Sequence, residues 1–292
     1  MTRLISQDIE NICAQLDKFD STLKEKTGHT LFDAACHAAG ICKRPSKGLI
    51  SSLKVGIVPV TCGQGIIEGF TKAVKGILTH IGFDAFVTQN PDASGVAESF
   101  ENRADILMMA DDRLFFALAP RSYYVIDNAI ATGKGFAAEL DLMAGGLKGN
   151  KVLILGCGSV GQSAAEALIH FGARVSAYDV NQKKCVNLAG RILRSDNVNI
   201  KVERSLSHAL TNHRFVIEAT NAPNIIDEKY LDPETFIAAP GMPLGITANA
   251  YRKAENRILH DPLQTGVATM GLMGLKVCRP LEPDEEVEPH EQ

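Results

Sequence analysis

The stretch KVLILGCGSVGQSAAEALIHFGARVSAYD, from Lys151 to Asp179, decides the fold. VLILG is a short apolar run that reads as a buried strand, the Ala-rich stretch after it has helical spacing, and RVSAYD reads as a second strand. Gly156, Gly158 and Gly161 fall between the first strand and the helix as G-x-G-x-x-G. In a dinucleotide site the first allows the tight turn, the second lets backbone approach a pyrophosphate, and the third lets helix and strand pack closely. Ser159 and Val160 belong to the same cofactor-binding turn, where free amides and the helix dipole stabilise an anion. Asp179 lies 18 residues beyond Gly161 at the end of the second strand. A carboxylate there accepts from the adenosine ribose and repels a 2′-phosphate, which favours NAD over NADP. The bland readings stand beside these: a tight turn in a sheet with no cofactor, and an aspartate that only caps the next helix.

Toward the C-terminus the alternation continues with a helix through Ile192, then NIKVE, RFVIEAT, TFIAAP and RILHD. With the first two, these make six candidate strands, enough for a doubly wound parallel sheet of the Rossmann type. Ligands of such sheets bind at the C-terminal strand ends, so Thr220 and Pro240 are expected nicotinamide-side contacts, with ordinary turn chemistry as the alternative. The apolar run Gly266 to Lys276 is expected to form a helix that returns to the N-terminal half.

Toward the N-terminus a second α/β pattern appears: KVGIVPV, the helical GIIEGFTKAVKGILTHIG, DAFVTQ, the helical SGVAESFENRA, DILMMAD and YYVIDN. Strands alternating with helices predict a parallel sheet. A helix over Gly135 to Gly145 is expected to connect the halves. The strand-end loops Thr61 to Gly65, Asp92 to Gly95, and Asp111-Asp112 face a cofactor held by the other sheet. Adjacent strand residues point to opposite sides, so at most one of Asp111 and Asp112 meets a ligand. The pattern leaves open which of Asp111 and Asp112 takes that role. Ahead of this half, Ile9, Ile12, Cys13, Leu16, Phe19 and Leu23 share one face of a helix running from a Ser6 cap to about Lys26, ended by Gly28. A short helical piece is expected around Phe32 to Ala39.

The expected organisation is an N-terminal helix and α/β substrate-binding domain over 1–146, a Rossmann domain over 147–262, a returning helix over 263–281 and an acidic, solvated tail over 282–292. A chain of 292 residues with 45% hydrophobic and 22% charged residues can fill two cores. Its 30 basic and 34 acidic residues leave a formal charge of -4 with no basic stripe, which argues against nucleic acid as a partner. Seven cysteines without a CxxC pair argue against a metal site and read as free thiols of a reducing compartment. MTRLISQDIENI is too polar for a signal peptide, and no apolar run reaches the ~20 residues of a membrane span. The expectation is a cytoplasmic protein acting on a small molecule.

Several segments together resemble the pyrrolysine synthase family: KVGIVPVTCGQGII from Lys54, FDAFVTQNPDASG from Phe83, ILMMADD from Ile106, the GCGSVG turn, EAT at Glu218, PGMP at Pro240 and DPLQTGVATM from Asp261. The resemblance runs from the N-terminal helix to about Met270. It implies NAD-dependent oxidation of the terminal amine carbon of 3-methyl-D-ornithyl-N6-L-lysine, followed by ammonia loss and ring closure, in a homodimer. It also implies a substrate pocket of Leu4, Cys62, Ile67, Ala110 and Asp111, with Asp111 at the reacting amine. Cys62 stands where a serine is usual in that family. Two other readings remain at this stage: an oxidoreductase like methylene-tetrahydrofolate dehydrogenase, on the DPLQTGVATM stretch, and a non-catalytic NAD(H)-sensing module, against which stands the lack of a basic recognition helix.

Overall fold

The computed structural model describes residues 4–279 and contains two sheets facing each other across a cleft. The expected tail over 282–292 lies outside the described residues. The first sheet has the order β2-β1-β3-β4-β5, with β1 at Lys54–Val58, β2 at Asp84–Val87, β3 at Ile106–Ala110, β4 at Phe115–Ala119 and β5 at Tyr124–Asp127. β1, β2 and β3 run parallel, whereas β4 is antiparallel to both neighbours. The wholly parallel expectation is corrected here: FFALA is a five-residue strand entered by a tight turn from β3. That turn closes because the Asp111 amide donates to the Leu114 carbonyl at 2.9 Å, while the Asp111 side chain caps the amides inside it.

The second sheet is parallel throughout, with the order β11-β10-β9-β6-β7-β8 of a doubly wound fold. Its strands are β6 at Lys151–Leu155, β7 at Arg174–Tyr178, β8 at Lys201–Val202, β9 at Phe215–Glu218, β10 at Phe236–Ala238 and β11 at Ile258–Leu259. All six strands expected from the sequence are present. Strands buried on both faces need continuous apolar runs, and Val152 to Leu155 are each fully buried.

Helix boundaries differ from the sequence reading in ways that matter for the cleft. The leading helix is broken into Ser6–Ile9 and Ile12–Thr27, with Ile5 rather than Ser6 in the capping position; Gly28 stops it in a left-handed conformation, as expected. The helix read from Gly65 starts only at Phe70, behind a left-handed Gly69, so residues 59–69 form a loop along the cleft. The connecting helix begins at Asn128 rather than Gly135, because the Asp127 carboxylate at the end of β5 accepts from the Ala129 amide. A short helix, Lys47–Ser51, precedes β1 and was not anticipated.

The connecting helix Asn128–Met143 touches both sheets and packs on helices Leu31–Ala38, Ser159–His170 and Gln264–Cys278. Close approach depends on missing side chains. A Cβ at Gly133 would strike the Val160 carbonyl and the Ala164 amide, and one at Gly135 would strike Thr265 and Thr269. The last helix, Gln264–Cys278, packs on β4, β5 and helix Phe70–His80.

Candidate active site

The cleft between the two sheets has a volume of about 600 Å3 and is walled by the strand-end loops of both. On the second-sheet side, Gly156 turns out of β6 at φ +89°, a conformation that L side chains rarely adopt. A Cβ at Gly156 would meet the Ala219 carbonyl, and one at Gly161 would collide with the Gly156 carbonyl. At Gly158 a Cβ would meet nothing within 4 Å. The chain's own packing therefore demands glycine at 156 and 161 but not at 158, where bare backbone suits the approach of a ligand. Gly156, Gly158, Ser159 and Val160 line the cleft, while Gly161 sits behind them as the helix–strand contact.

Asp179 lines the same cleft at the end of β7 and is 8% exposed. Its carboxylate accepts from the Cys157 amide at 2.9 Å and from the Asn181 amide at 2.8 Å. It thus holds the glycine turn to the neighbouring strand end, and the helix cap itself is Asn181, whose side chain accepts from the Lys183 amide. A carboxylate has about four acceptor positions, so two amides leave it able to take ribose hydroxyls.

Thr220 and Pro240 both border the cleft beyond β9 and β10. They are organised by Glu218, which is fully buried at the end of β9. Its Oε1 accepts from the Thr220 amide at 2.8 Å and the Thr220 hydroxyl at 2.6 Å, and its Oε2 accepts from the Gly245 amide at 3.1 Å. Burial raises its carboxyl above the ordinary range, partly offset by those donors. One side chain thereby ties together the two loops at the expected nicotinamide end. EAT was legible as a motif, but not this tying role.

On the first-sheet side Leu4, Ile67, Ala110 and Asp111 all line the cleft. Cys62 is exposed in the loop before Gly63 and is not among the residues that line the cleft. It lies in the 59–69 loop, which passes through the left-handed Gly63 and Gly65. Asp111 and Asp112 both reach the cleft with different duties. Asp111 Oδ1 accepts from the Arg113 and Leu114 amides, each at 2.7 Å, and these donors hold the carboxyl below its usual range. Asp112 Oδ2 accepts from the Gln64 amide at 2.8 Å and so pins the 61–67 loop. Asn128, Thr132 and Asp261 also line the cleft and were not singled out from sequence. Among the described residues no group of three acidic, His or Cys side chains could hold a metal.

The chain is 35% identical over 275 residues to a pyrrolysine synthase of Methanosarcina barkeri, covering 92% of this chain and 97% of that protein. The chain belongs to the pyrrolysine synthase family. A second pyrrolysine synthase, from Methanosarcina acetivorans, is 31% identical over 270 residues, 92% of this chain and 98% of the relative. Residues 8–125 match the family described as pyrrolysine biosynthesis protein PylD, N-terminal domain, and residues 125–232 match the alanine dehydrogenase/PNT C-terminal domain. Among solved structures, quinate dehydrogenase of Corynebacterium glutamicum in complex with NAD shares the fold at a TM-score of 0.53 and 14% identity, over 80% of this chain and 95% of that one. In this pyrrolysine synthase family member, the resemblance seen in the PVTCGQGII and MADD segments therefore extends over nearly the whole chain. No helix among the described residues is long and apolar enough to cross a membrane.

Proposed function

We propose that this chain is an NAD-dependent dehydrogenase that oxidises the terminal amine carbon of 3-methyl-D-ornithyl-N6-L-lysine and so forms pyrrolysine. The observation that carries the reading is the cleft itself, which sets an ionised Asp111 on one wall opposite a glycine turn and the Glu218-braced loops on the other. NAD, when bound, supplies the hydride acceptor. Everything else asked of the chain is positioning, charge and proton handling. The glycine turn holds the pyrophosphate at a helix N-terminus, and Asp179 accepts from the adenosine ribose. Asp111, kept ionised by two amides, pairs with the substrate's terminal ammonium and fixes its carbon against the nicotinamide. Removal of one proton and one hydride from CH2–NH3+ leaves an iminium carbon. The α-amine of the ornithyl group attacks that carbon, a five-membered ring closes, and ammonia departs to leave the pyrroline C=N bond. Leu4 and Ile67, both partly buried, shield the reacting carbon from water.

Turnover of 3-methylornithyl-lysine with NAD, followed at once by NADH absorbance and product mass, is expected to show one NADH per pyrrolysine and one ammonia lost. NADH without the ring-closed mass, or no NADH, sinks the reading. For the cofactor, Asp179→Ala is expected to weaken NAD binding by roughly 1–3 kcal/mol and to narrow the preference for NAD over NADP. The same change strands the Cys157 amide, so the melting temperature falls as well. Calorimetric titration with each dinucleotide separates the two effects. Unaltered NAD affinity alongside a lowered melting temperature would leave Asp179 as a brace of the turn alone.

A further inference from the structure

The overall oxidation proposed above releases a proton, because an aliphatic ammonium, ionised at neutral pH, must be deprotonated before its carbon can give up hydride. Asp111 is a poor acceptor for it, since two backbone amides stabilise its charged form. The structure contains a different acidic pair whose hydrogen bonding leaves one proton to be accounted for. Thr265 Oγ1 lies 2.6 Å from Glu139 Oε1 and 2.6 Å from Asp261 Oδ2. A threonine hydroxyl has one proton, and an ionised carboxylate only accepts, so both contacts can be hydrogen bonds only if one carboxyl is itself protonated. Glu139 is that carboxyl. It is 1% exposed, and this contact is its only hydrogen bond among the described residues. Asp261 also accepts from the Leu263 amide at 3.0 Å and the Thr265 amide at 3.1 Å, which favour its charged form. Burial and the neighbouring Asp261 push the Glu139 carboxyl well above the ordinary range. The order is Glu139 carboxyl donating to Thr265, and Thr265 donating to Asp261.

The position of this chain of groups gives it a use. Asp261 borders the catalytic cleft and also a second cavity of about 280 Å3, whereas Glu139 borders only the second cavity. That volume holds several waters at ~30 Å3 each. Gln264, 8% exposed, borders the same cavity, and its Oε1 is buried without a hydrogen-bond partner among the described residues. The titratable groups facing the cavity are Lys18 and Lys26 from helix Ile12–Thr27, Tyr251, Glu255 and His260.

We propose that Asp261, Thr265 and Glu139 carry the substrate's ammonium proton from the cleft to the second cavity. The inference rests on the amine-oxidation reading. Glu139 first releases its proton to water in the second cavity and the Thr265 hydroxyl turns to donate to it; Asp261 then takes the proton from CH2–NH3+ and passes it to Thr265 as Thr265 passes its own to Glu139, which restores the starting order. The neutral amine then loses hydride to NAD. Atoms and charge balance as ammonium plus NAD+ giving iminium plus NADH plus one proton. Glu139 and Thr265 touch no substrate and act through Asp261.

The test uses full-length protein with 3-methylornithyl-lysine and NAD at neutral pH. Glu139→Gln keeps a neutral donor to Thr265 and so preserves the geometry, but it cannot relay. Thr265→Val breaks the chain, and Thr265→Ser restores it. The first two are expected to lower kcat at least about tenfold, within the range of lost acid–base assistance, with NAD affinity and melting temperature near the parent for Glu139→Gln. Thr265→Ser is expected to recover most of the parental rate. The decisive readout is buffer dependence: rates of Glu139→Gln and Thr265→Val rise with imidazole concentration, whereas the parent's rate does not. Parental kcat in both variants, or a loss of rate that imidazole leaves unchanged, overturns the relay. A parent that does not oxidise this substrate at all refutes the functional reading instead, which keeps the two failures distinct.

Discussion

Gly161→Ala is expected to weaken dinucleotide binding roughly ten- to hundredfold, the equivalent of about 1–3 kcal/mol of overpacking. The new methyl would collide with the Gly156 carbonyl and crowd the Ile154 side chain. Because the obstacle is the buried backbone of the turn leaving β6, the helix Ser159–His170 must shift away from β6 and carry the Ser159 and Val160 amides with it. Gly158→Ala provides the contrast. Its methyl meets nothing of the chain within 4 Å, so the melting temperature should stay at the parent's while affinity falls through contact with the ligand alone. Calorimetric titration and thermal melts on both variants check this. Parental affinity in Gly161→Ala would mean that the turn does not hold the pyrophosphate.

Asp111→Asn is expected to lower kcat/KM for the amine substrate by roughly ten- to hundredfold, since a charge-assisted contact is about twice as strong as a neutral one. The amide oxygen can still accept from the Arg113 and Leu114 amides, so the turn into β4, the NAD affinity and the melting temperature should be little changed. Asp112→Asn is expected to act differently. Its side-chain oxygen can also still accept from the Gln64 amide but without the charge, so the loop carrying Ile67 is held less firmly and the effect appears mainly in KM. An inactive Asp112→Asn beside a normal Asp111→Asn would exchange the two assignments. The comparison requires steady-state kinetics on both single variants at saturating NAD.

Most of the second sheet was legible because its physics is local. Continuous apolar strands, glycines at forced turns and an acidic residue at the next strand end all repeat within a short stretch, and Gly156, Gly158, Gly161 and Asp179 fall where that pattern puts them. β4 was not legible. FFALA is short, carries no β-branched residue, and lies between an Asp-Asp turn and a proline, so nothing in its period distinguishes it from a loop. The broken leading helix was missed for a related reason: an apolar stripe fixes which face is buried but says little about where backbone hydrogen bonding lapses. Cys62 rests on the resemblance alone, with no local pattern in the sequence to say whether the 59–69 loop leaves it exposed. Glu139 and Asp261 are 122 positions apart and meet solely through tertiary packing. The one local hint was a lone Glu in GFAAEL, a stretch otherwise able to be wholly buried.

The return of helix Gln264–Cys278 to the first sheet has a consequence for the order in which the molecule can be assembled. This helix covers β4, β5 and helix Phe70–His80 with residues almost all buried, including Met270, Leu272 and Leu275. During synthesis the N-terminal half emerges long before its cover does, and the intervening chain is the whole second sheet. The first half must therefore wait with an apolar face open to water until the ribosome has delivered the last helix. The second sheet, contiguous in sequence from Lys151 to Leu259, suffers no such delay. The completed parallel sheet then serves as the platform from which the final segment reaches back, so the half made first is the half finished last.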